Sequence, residues 1–234
     1  MHTYVMSDIH GEYEKYKKML ELIKLSDDDD LYILGDVVDR GPQPIAVLKD
    51  MMSRANVFPI YGNHDLLALA MLKKLSLEIT EENYAKVLDE EMLEAIQDWQ
   101  ENGGTETIRD FRTLSPSERA DILDYLSDFS MCETVEVGEN IFILVHAGLG
   151  NFRKGKKLSE YTLEELVLDR NDPDIKYFDD DHIFIVTGHT PTQCITGKAE
   201  IYKSHNNICI DCGAFDPQGK LACLCLDTME EFYV

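Results

Sequence analysis

The chain has 234 residues with 45 acidic and 22 basic side chains, a formal net charge of -23, and that length can bury one sizeable core. So negative a chain repels duplex nucleic acid and anionic membrane surfaces, and neither is expected as a partner, whereas bound divalent cations would offset part of the charge. No apolar run reaches membrane-spanning length and the first apolar stretch begins at Thr3, leaving no room for a cleavable leader; a cytoplasmic protein is expected, and length favours a monomer.

No Pro/Gly/Ser-rich linker or repeat divides the chain, so one domain over residues 1–234 is expected. Thr3 to Met6 reads as a strand, followed by Ser7-Asp8-Ile9-His10-Gly11, in which Asp8 and His10 alternate and can face one point. A helix with Tyr16, Met19, Leu20 and Ile23 at helical spacing comes next. Leu31-Tyr32-Ile33-Leu34 reads as a buried strand and delivers Gly35-Asp36-Val37-Val38-Asp39-Arg40-Gly41 at its carboxyl end, where open α/β sheets place their ligands. Asp36 is a hard anionic ligand and Arg40 a planar fork suited to phosphate. Pro42 and Pro44 open a second helix, and Val57 to Tyr61 reads as a third strand ending in Gly62-Asn63-His64-Asp65, although Pro59 weakens it.

Residues 66 to 130 are rich in helix formers and read as a mainly helical insert or cap. Trp99-Gln100-Glu101-Asn102-Gly103-Gly104 breaks its periodicity; the glycines suggest a helix end or a close backbone approach, and structural punctuation is preferred to substrate contact. Met131 to Val137 and Ile141 to Val145 flank Gly138-Glu139-Asn140 as a hairpin and deliver His146-Ala147-Gly148-Leu149. Thr162 to Asp169 reads as a short helix ending in Arg170, and Ile183 to Val186 as a buried strand delivering Gly188-His189-Thr190-Pro191. Ile201-Tyr202, Ile208 to Asp211, Leu221 to Leu226 and Glu231 to Val234 read as strands, so the chain starts βαβα and ends largely antiparallel.

Several polar features have bland readings. Asp27 to Asp30 and Asp179 to Asp181 precede apolar runs and read as solvated loops, His2, His182 and His205 as ordinary core or surface residues, and Arg153, Lys154, Lys156 and Lys157 as a solvated basic loop. Cys209, Cys212, Cys223 and Cys225 could supply four thiolates to zinc. In a strand, however, Cys209 and Cys212 point to opposite faces, and could share a metal only if the strand ends between them; buried free thiols are the default.

The remaining clusters converge on one chemistry. Asp8, His10, Asp36, Asn63, His146 and His189 form a mixed oxygen and nitrogen set too large for one tetrahedral ion, and suit two divalent ions with Asp36 shared between them. Two ions about 3.5–4 Å apart can hold a water, lower its pKa and aim it at phosphorus. Arg40 would grip the other phosphoryl oxygens, and His64, oriented by Asp39, would be the general acid for the leaving group.

Asp8-x-His10-Gly11, Gly35-Asp36-x-x-Asp39-Arg40-Gly41, Gly62-Asn63-His64-Asp65, His146-Ala147-Gly148 and Gly188-His189-Thr190 stand in the order of the metallophosphoesterase motifs. With arginine in the second motif the chain resembles the phosphoprotein phosphatase branch, its bacterial and phage members above all. Asp65 stands where eukaryotic members usually carry glutamate. The resemblance implies a four-layer α/β (α+β) sandwich, two mixed β-sheets flanked by helices with a helical insert, and a dimetal centre holding manganese in the first place, or iron, zinc or nickel. It assigns Asp8, His10 and Asp36 to one metal, and Asp36, Asn63, His146 and His189 to the other. It also assigns Asp39 and His64 to proton donation, Arg40 to phosphate, and Arg170 to a second phosphate contact.

The first reading of function is therefore a phosphomonoesterase acting on phosphoserine and phosphothreonine proteins through a metal-bridging hydroxide. The alternative is a hydrolase of dinucleoside polyphosphates of the diadenosine tetraphosphate type, acting on a small phosphorylated substrate instead of a phosphorylated protein. A third reading is a metal-binding regulator without catalysis.

Overall fold

The computed structural model of the chain describes residues 1–77 and 90–234. Side-chain alternation decides how each strand faces. In β1 (Thr3–Met6), Tyr4 and Met6 join one core cluster and Val5 another; in β2 (Asp30–Ile33), Leu31 and Ile33 are parted from Tyr32 in the same way. β3 (Val57–Pro59) completes a parallel set, and Pro59 is tolerated because β3 is the edge strand of its sheet. The antiparallel strands β9 (Ala222–Cys225) and β10 (Glu231–Tyr233) extend this sheet beyond β1 in the order β10-β9-β1-β2-β3.

The second sheet runs β4-β5-β6-β8-β7, from β4 (Glu133–Val137), β5 (Asn140–Leu144), β6 (Ile183–Thr187), β7 (Tyr202–Ser204) and β8 (Asn207–Cys209). The chain ends largely antiparallel, as expected, with β7 against β8 and β9 against both β10 and β1, whereas β5, β6 and β8 are mutually parallel, because crossover connections rather than tight turns join them. Val5, Leu34, Phe142, Leu144, Val186 and Leu224 fill the layer between the sheets. On the far side of the first sheet, α1 (Tyr13–Ile23) and α2 (Pro44–Met52) bring Tyr16, Met19, Leu48 and Met51 against Met6, Leu31 and Ile33. Two mixed sheets flanked by helices is the arrangement expected from the motifs.

The stretch read as helical holds α3 (Asn63–Leu75), α4 (Glu90–Trp99), a kinked connection (Gln100–Gly104) with Gly103 out of helical geometry, α5 (Thr105–Arg112) and α6 (Pro116–Ser127). The part of that reading falling on 78–89 lies outside the described residues. Ser115 caps α6 reciprocally with Glu118, and α6 packs against α3. Short helices α7 (Leu163–Val167) and α8 (Gln193–Thr196) follow β5 and β6. Cys212 lies beyond the end of β8, yet the four clustered cysteines form no joint metal-ligand group among the described residues, and all four are buried free thiols.

The carboxyl ends of β1, β2 and β3 in one sheet and of β5, β6 and β8 in the other meet at one edge. The loops there are tied across the sheets: His189 N donates to Asp8 Oδ2 at 2.9 Å and His146 Nδ1 to Leu34 O at 2.6 Å. This placement depends on the inter-sheet packing. Phe142, fully buried and stacked on Phe184 at 5.2 Å between centroids, tests it: Phe142→Ala is expected to cost about 3–5 kcal/mol of unfolding free energy. Urea unfolding reads this directly, and an unchanged midpoint would show that the sheets do not depend on this side chain.

Candidate active site

The strand-end loops adopt a backbone that most residues avoid. Asp8, His10, Asp36, Asp39, Arg40 and His189 all have left-handed φ, between 45° and 68°. Such non-glycine residues are uncommon and concentrate at functional sites, where surrounding structure holds the strain. Asp8 and His10 thus converge through left-handed turns, not through the extended alternation expected of them. The first two loops are laced by His10 N to Asp36 O at 2.9 Å and Gly11 N to Val37 O at 2.8 Å. Gly62 is required by space, since a Cβ there would lie 2.2 Å from Asp36 Oδ1.

Asp36 stands between two histidines. Its Oδ2 lies 3.6 Å from His10 Nε2, and its Oδ1 lies 3.4 Å from His146 Nε2. His10 Nδ1 donates to Val38 O at 2.9 Å and His146 Nδ1 to Leu34 O at 2.6 Å, which leaves each Nε2 with its lone pair turned inward. Around His146 Nε2 gather Asn63 Oδ1 at 3.1 Å and His189 Nδ1 at 3.2 Å. Asp8 Oδ1 is 4.0 Å from His10 Nε2; its Oδ2 accepts from the Ser7 hydroxyl and, at 2.9 Å, from His189 N.

The electrostatics suit cations. Burial, with Arg40 beside it, holds the His10 imidazole down at about 3, and burial with His146 nearby holds His189 at about 4, so both are neutral ligands. Burial and the charges of Asp211 and Asp36 push Asp8 well above the usual carboxylate range. Burial also works against an ionised Asp36, but His146, His10 and His64 outweigh it and hold this carboxyl low. Buried carboxylates that raise one another's pKa, ringed by imidazole lone pairs, are a donor set divalent cations would relieve. His10, Asp36 and His64 form one candidate ligand group, and Asp36, His146 and His189 another, sharing Asp36. The residues present therefore fit divalent metal.

The other predicted residues fall beside this centre. His64 Nδ1 donates to Asp39 Oδ2 at 2.8 Å, and that hydrogen bond raises the imidazole pKa against the opposing effect of burial. Arg40 lies between two imidazoles, with Nη1 2.8 Å from His10 Nε2 and Nη2 2.9 Å from His64 Nε2. Arg170 is exposed at the rim, its Nε donating to Thr190 Oγ1 at 2.9 Å next to His189.

Sequence reasoning overlooked several neighbours. Asp211, read as part of a strand, is a buried carboxyl just past β8, raised to about 7 chiefly by burial; the strand-end pattern that found the other clusters would have found it. Phe215 places its ring 4.5 Å from the Arg40 guanidinium and 5.3 Å from His10. Trp99 and Thr107, 60 and 68 residues away in sequence, both hydrogen-bond to Asp39, and no local pattern announces that.

Asp65 proves to be the brace of the second loop. Its Oδ2 accepts from Asp36 N at 2.7 Å and Gly62 N at 3.0 Å, and its Oδ1 from Val37 N at 3.0 Å. Asp65→Ala strands these buried amides at about 1–3 kcal/mol each. The variant is expected to lose at least about 3 kcal/mol in urea unfolding and to bind manganese more weakly in calorimetry; a stability within a few tenths of wild type would contradict the bracing role.

Histidines and carboxylates delivered by strand-end loops to one edge of two packed sheets are the build of a metal-dependent phosphoesterase. The chain belongs to the calcineurin-like phosphoesterase family, which it matches over residues 1–209. It is 32% identical over 101 residues to a symmetrical bis(5'-nucleosyl)-tetraphosphatase of Wigglesworthia glossinidia brevipalpis, a match covering 42% of this chain and 37% of that protein. The same-named protein of Buchnera aphidicola subsp. Acyrthosiphon pisum (strain Tuc7) is 42% identical over 73 residues, 30% of this chain and 27% of that one. These matches span little more than a third of the relatives' length at most.

Among solved structures, one described as a candidate diadenosine tetraphosphatase superposes with a TM-score of 0.66 at 18% identity, covering 99% of this chain and 92% of that one. A protein serine/threonine phosphatase from Saccharomyces cerevisiae gives 0.56 at 12% identity, with 96% and 72% covered. At these identities the likeness is one of fold. Among the described residues no helix is long and apolar enough to cross a membrane.

Proposed function

We propose that the chain hydrolyses dinucleoside polyphosphates of the diadenosine tetraphosphate type. The observation that carries the chemistry is Asp36, whose two carboxylate oxygens face His10 on one side and His146 on the other at 3.6 and 3.4 Å. The choice of substrate is supported by the tetraphosphatase relatives, and it replaces the phosphoprotein phosphatase as the preferred reading. The yeast phosphatase shares the fold at 12% identity and so says nothing of substrate.

Asp8, His10 and Asp36 would hold one divalent ion, and Asp36, Asn63, His146 and His189 the other. Ions bound there supply Lewis acidity toward phosphoryl oxygens and a water of lowered pKa. The protein's own groups do the rest. The Nδ1 hydrogen bonds of His10 and His146 keep their lone pairs inward, and Asp8 is oriented by Ser7 and the His189 amide. Arg40 swings its fork from the two imidazoles onto phosphate oxygens, as bidentate geometry favours. That movement frees His64 Nε2 to take up a proton from solvent and pass it to the leaving oxygen while Asp39 keeps Nδ1 fixed. Arg170 offers a second cation at the rim.

The test uses metal-stripped protein reloaded with manganese and given diadenosine tetraphosphate and a phosphothreonine peptide in parallel. Conversion of the dinucleotide to ADP, faster than release of phosphate from the peptide and lost in Asp36→Asn, is expected. Preference for the peptide would return the function to phosphoprotein chemistry.

A further inference from the structure

Asp39 is fully buried, and a buried carboxylate needs its acceptor sites filled. Its Oδ2 accepts from His64 Nδ1 at 2.8 Å and from Trp99 Nε1 at 2.9 Å. Its Oδ1 accepts from Thr107 Oγ1 at 2.7 Å, and the same hydroxyl accepts in turn from Asp39 N at 3.1 Å. Both carboxylate oxygens are thus held from the helical cap, and the plane in which Asp39 meets the imidazole is set there.

The kink at Gly103 between α4 and α5 makes this reach possible. Gly103, at φ 107°, offers its carbonyl to Arg40 N at 2.9 Å, and a Cβ on it would stand 2.7 Å from Arg40 Cγ. A Cβ on Gly104 would stand 2.5 Å from the Trp99 ring. The glycine pair therefore lets the cap's backbone touch the arginine loop while seating the indole flat beneath it. Core filling alone would accept any large apolar side chain at 99. An indole adds a fixed donor with no acceptor, which suits only a partner that must stay an acceptor.

We infer that Trp99 and Thr107 are positioning residues for His64, acting through Asp39 to aim its Nε2 at the leaving oxygen. The inference rests on the reading of His64 as general acid. Both side chains are fully buried and act from behind the pair. Loss of either donor lets the carboxylate rotate and the imidazole follow it, while the metal ligands stay as they were.

The experiment compares Trp99→Phe, Thr107→Val, Thr107→Ser and His64→Ala in the full manganese-loaded chain. The substrates are 4-nitrophenyl phosphate, whose leaving group needs little protonation, and phenyl phosphate, whose leaving group needs it. His64→Ala is expected to lose far more on phenyl phosphate than on the nitrophenyl ester. Trp99→Phe and Thr107→Val should repeat that pattern at about 10-fold in kcat on phenyl phosphate, with KM unchanged and Thr107→Ser close to wild type. A second readout needs no turnover: the downfield imidazole N–H resonance of the zinc-loaded protein, assigned by its loss in His64→Ala, should broaden or shift in Trp99→Phe and Thr107→Val. An unmoved resonance, or losses equal on both esters, would overturn the positioning role while leaving His64 as the acid. If His64→Ala shows no leaving-group dependence, the acid itself is misassigned and this inference falls with it. Should Trp99→Phe not fold, the Thr107→Val and Thr107→Ser pair decides alone.

Discussion

The crowding of buried charge around Asp36 is the constraint on which the rest of this molecule depends. Three carboxyl groups, Asp8, Asp36 and Asp211, lie at 2–3% exposure among the imidazoles of His10, His64 and His146. Left to themselves such groups would neutralise or take up water. Here they are fixed by hydrogen bonds from backbone and side chains together: the Leu34 and Val38 carbonyls set two imidazole tautomers, the amide of His189 and the Ser7 hydroxyl orient Asp8, and Asp39 holds His64. The electrostatic problem is therefore handled by the scaffold.

That scaffold has to store conformational strain as well. Left-handed aspartates and histidines stand on three of the strand-end loops, and each is costly relative to the allowed regions by about 1–3 kcal/mol. What offsets this is the layer of apolar side chains between the sheets and the second layer under the helices, which hold the strand ends in place regardless of what the loops prefer. Asp65 then converts the rigidity of α3 into order in the neighbouring loop, because one carboxylate collects amides from both. Glycines at 35 and 62 allow the close approach that this requires.

The helical cap adds a second kind of control. It covers the outer side of the Asp39 and Arg40 turn, and its contacts there are polar: an indole N–H, a hydroxyl and a glycine carbonyl. These contacts connect the part of the chain least covered by the motifs to the pair proposed for proton transfer.

Much of the fold and centre was readable from local pattern. Short apolar runs, each ending in a glycine-flanked polar cluster, identified the strands, and residue type at those strand ends singled out Asp8, His10, Asp36, Asn63, His146 and His189 as candidate ligands. Those signals survive because burial of a strand and ligation by a side chain both act over a few residues. Other features required the folded chain. The parallel run of β5, β6 and β8 depends on crossovers whose direction no local periodicity records. The left-handed turns at Asp8 and His10 arise from hydrogen bonds to another loop. Asp211 gains its altered acidity from burial, and Trp99 reaches Asp39 across 60 residues of sequence. Residue type and spacing determined which chemistry the chain can support; long-range packing decided which groups share a site, in what protonation state and held by what, because those properties belong to distances between segments that the order of residues does not contain.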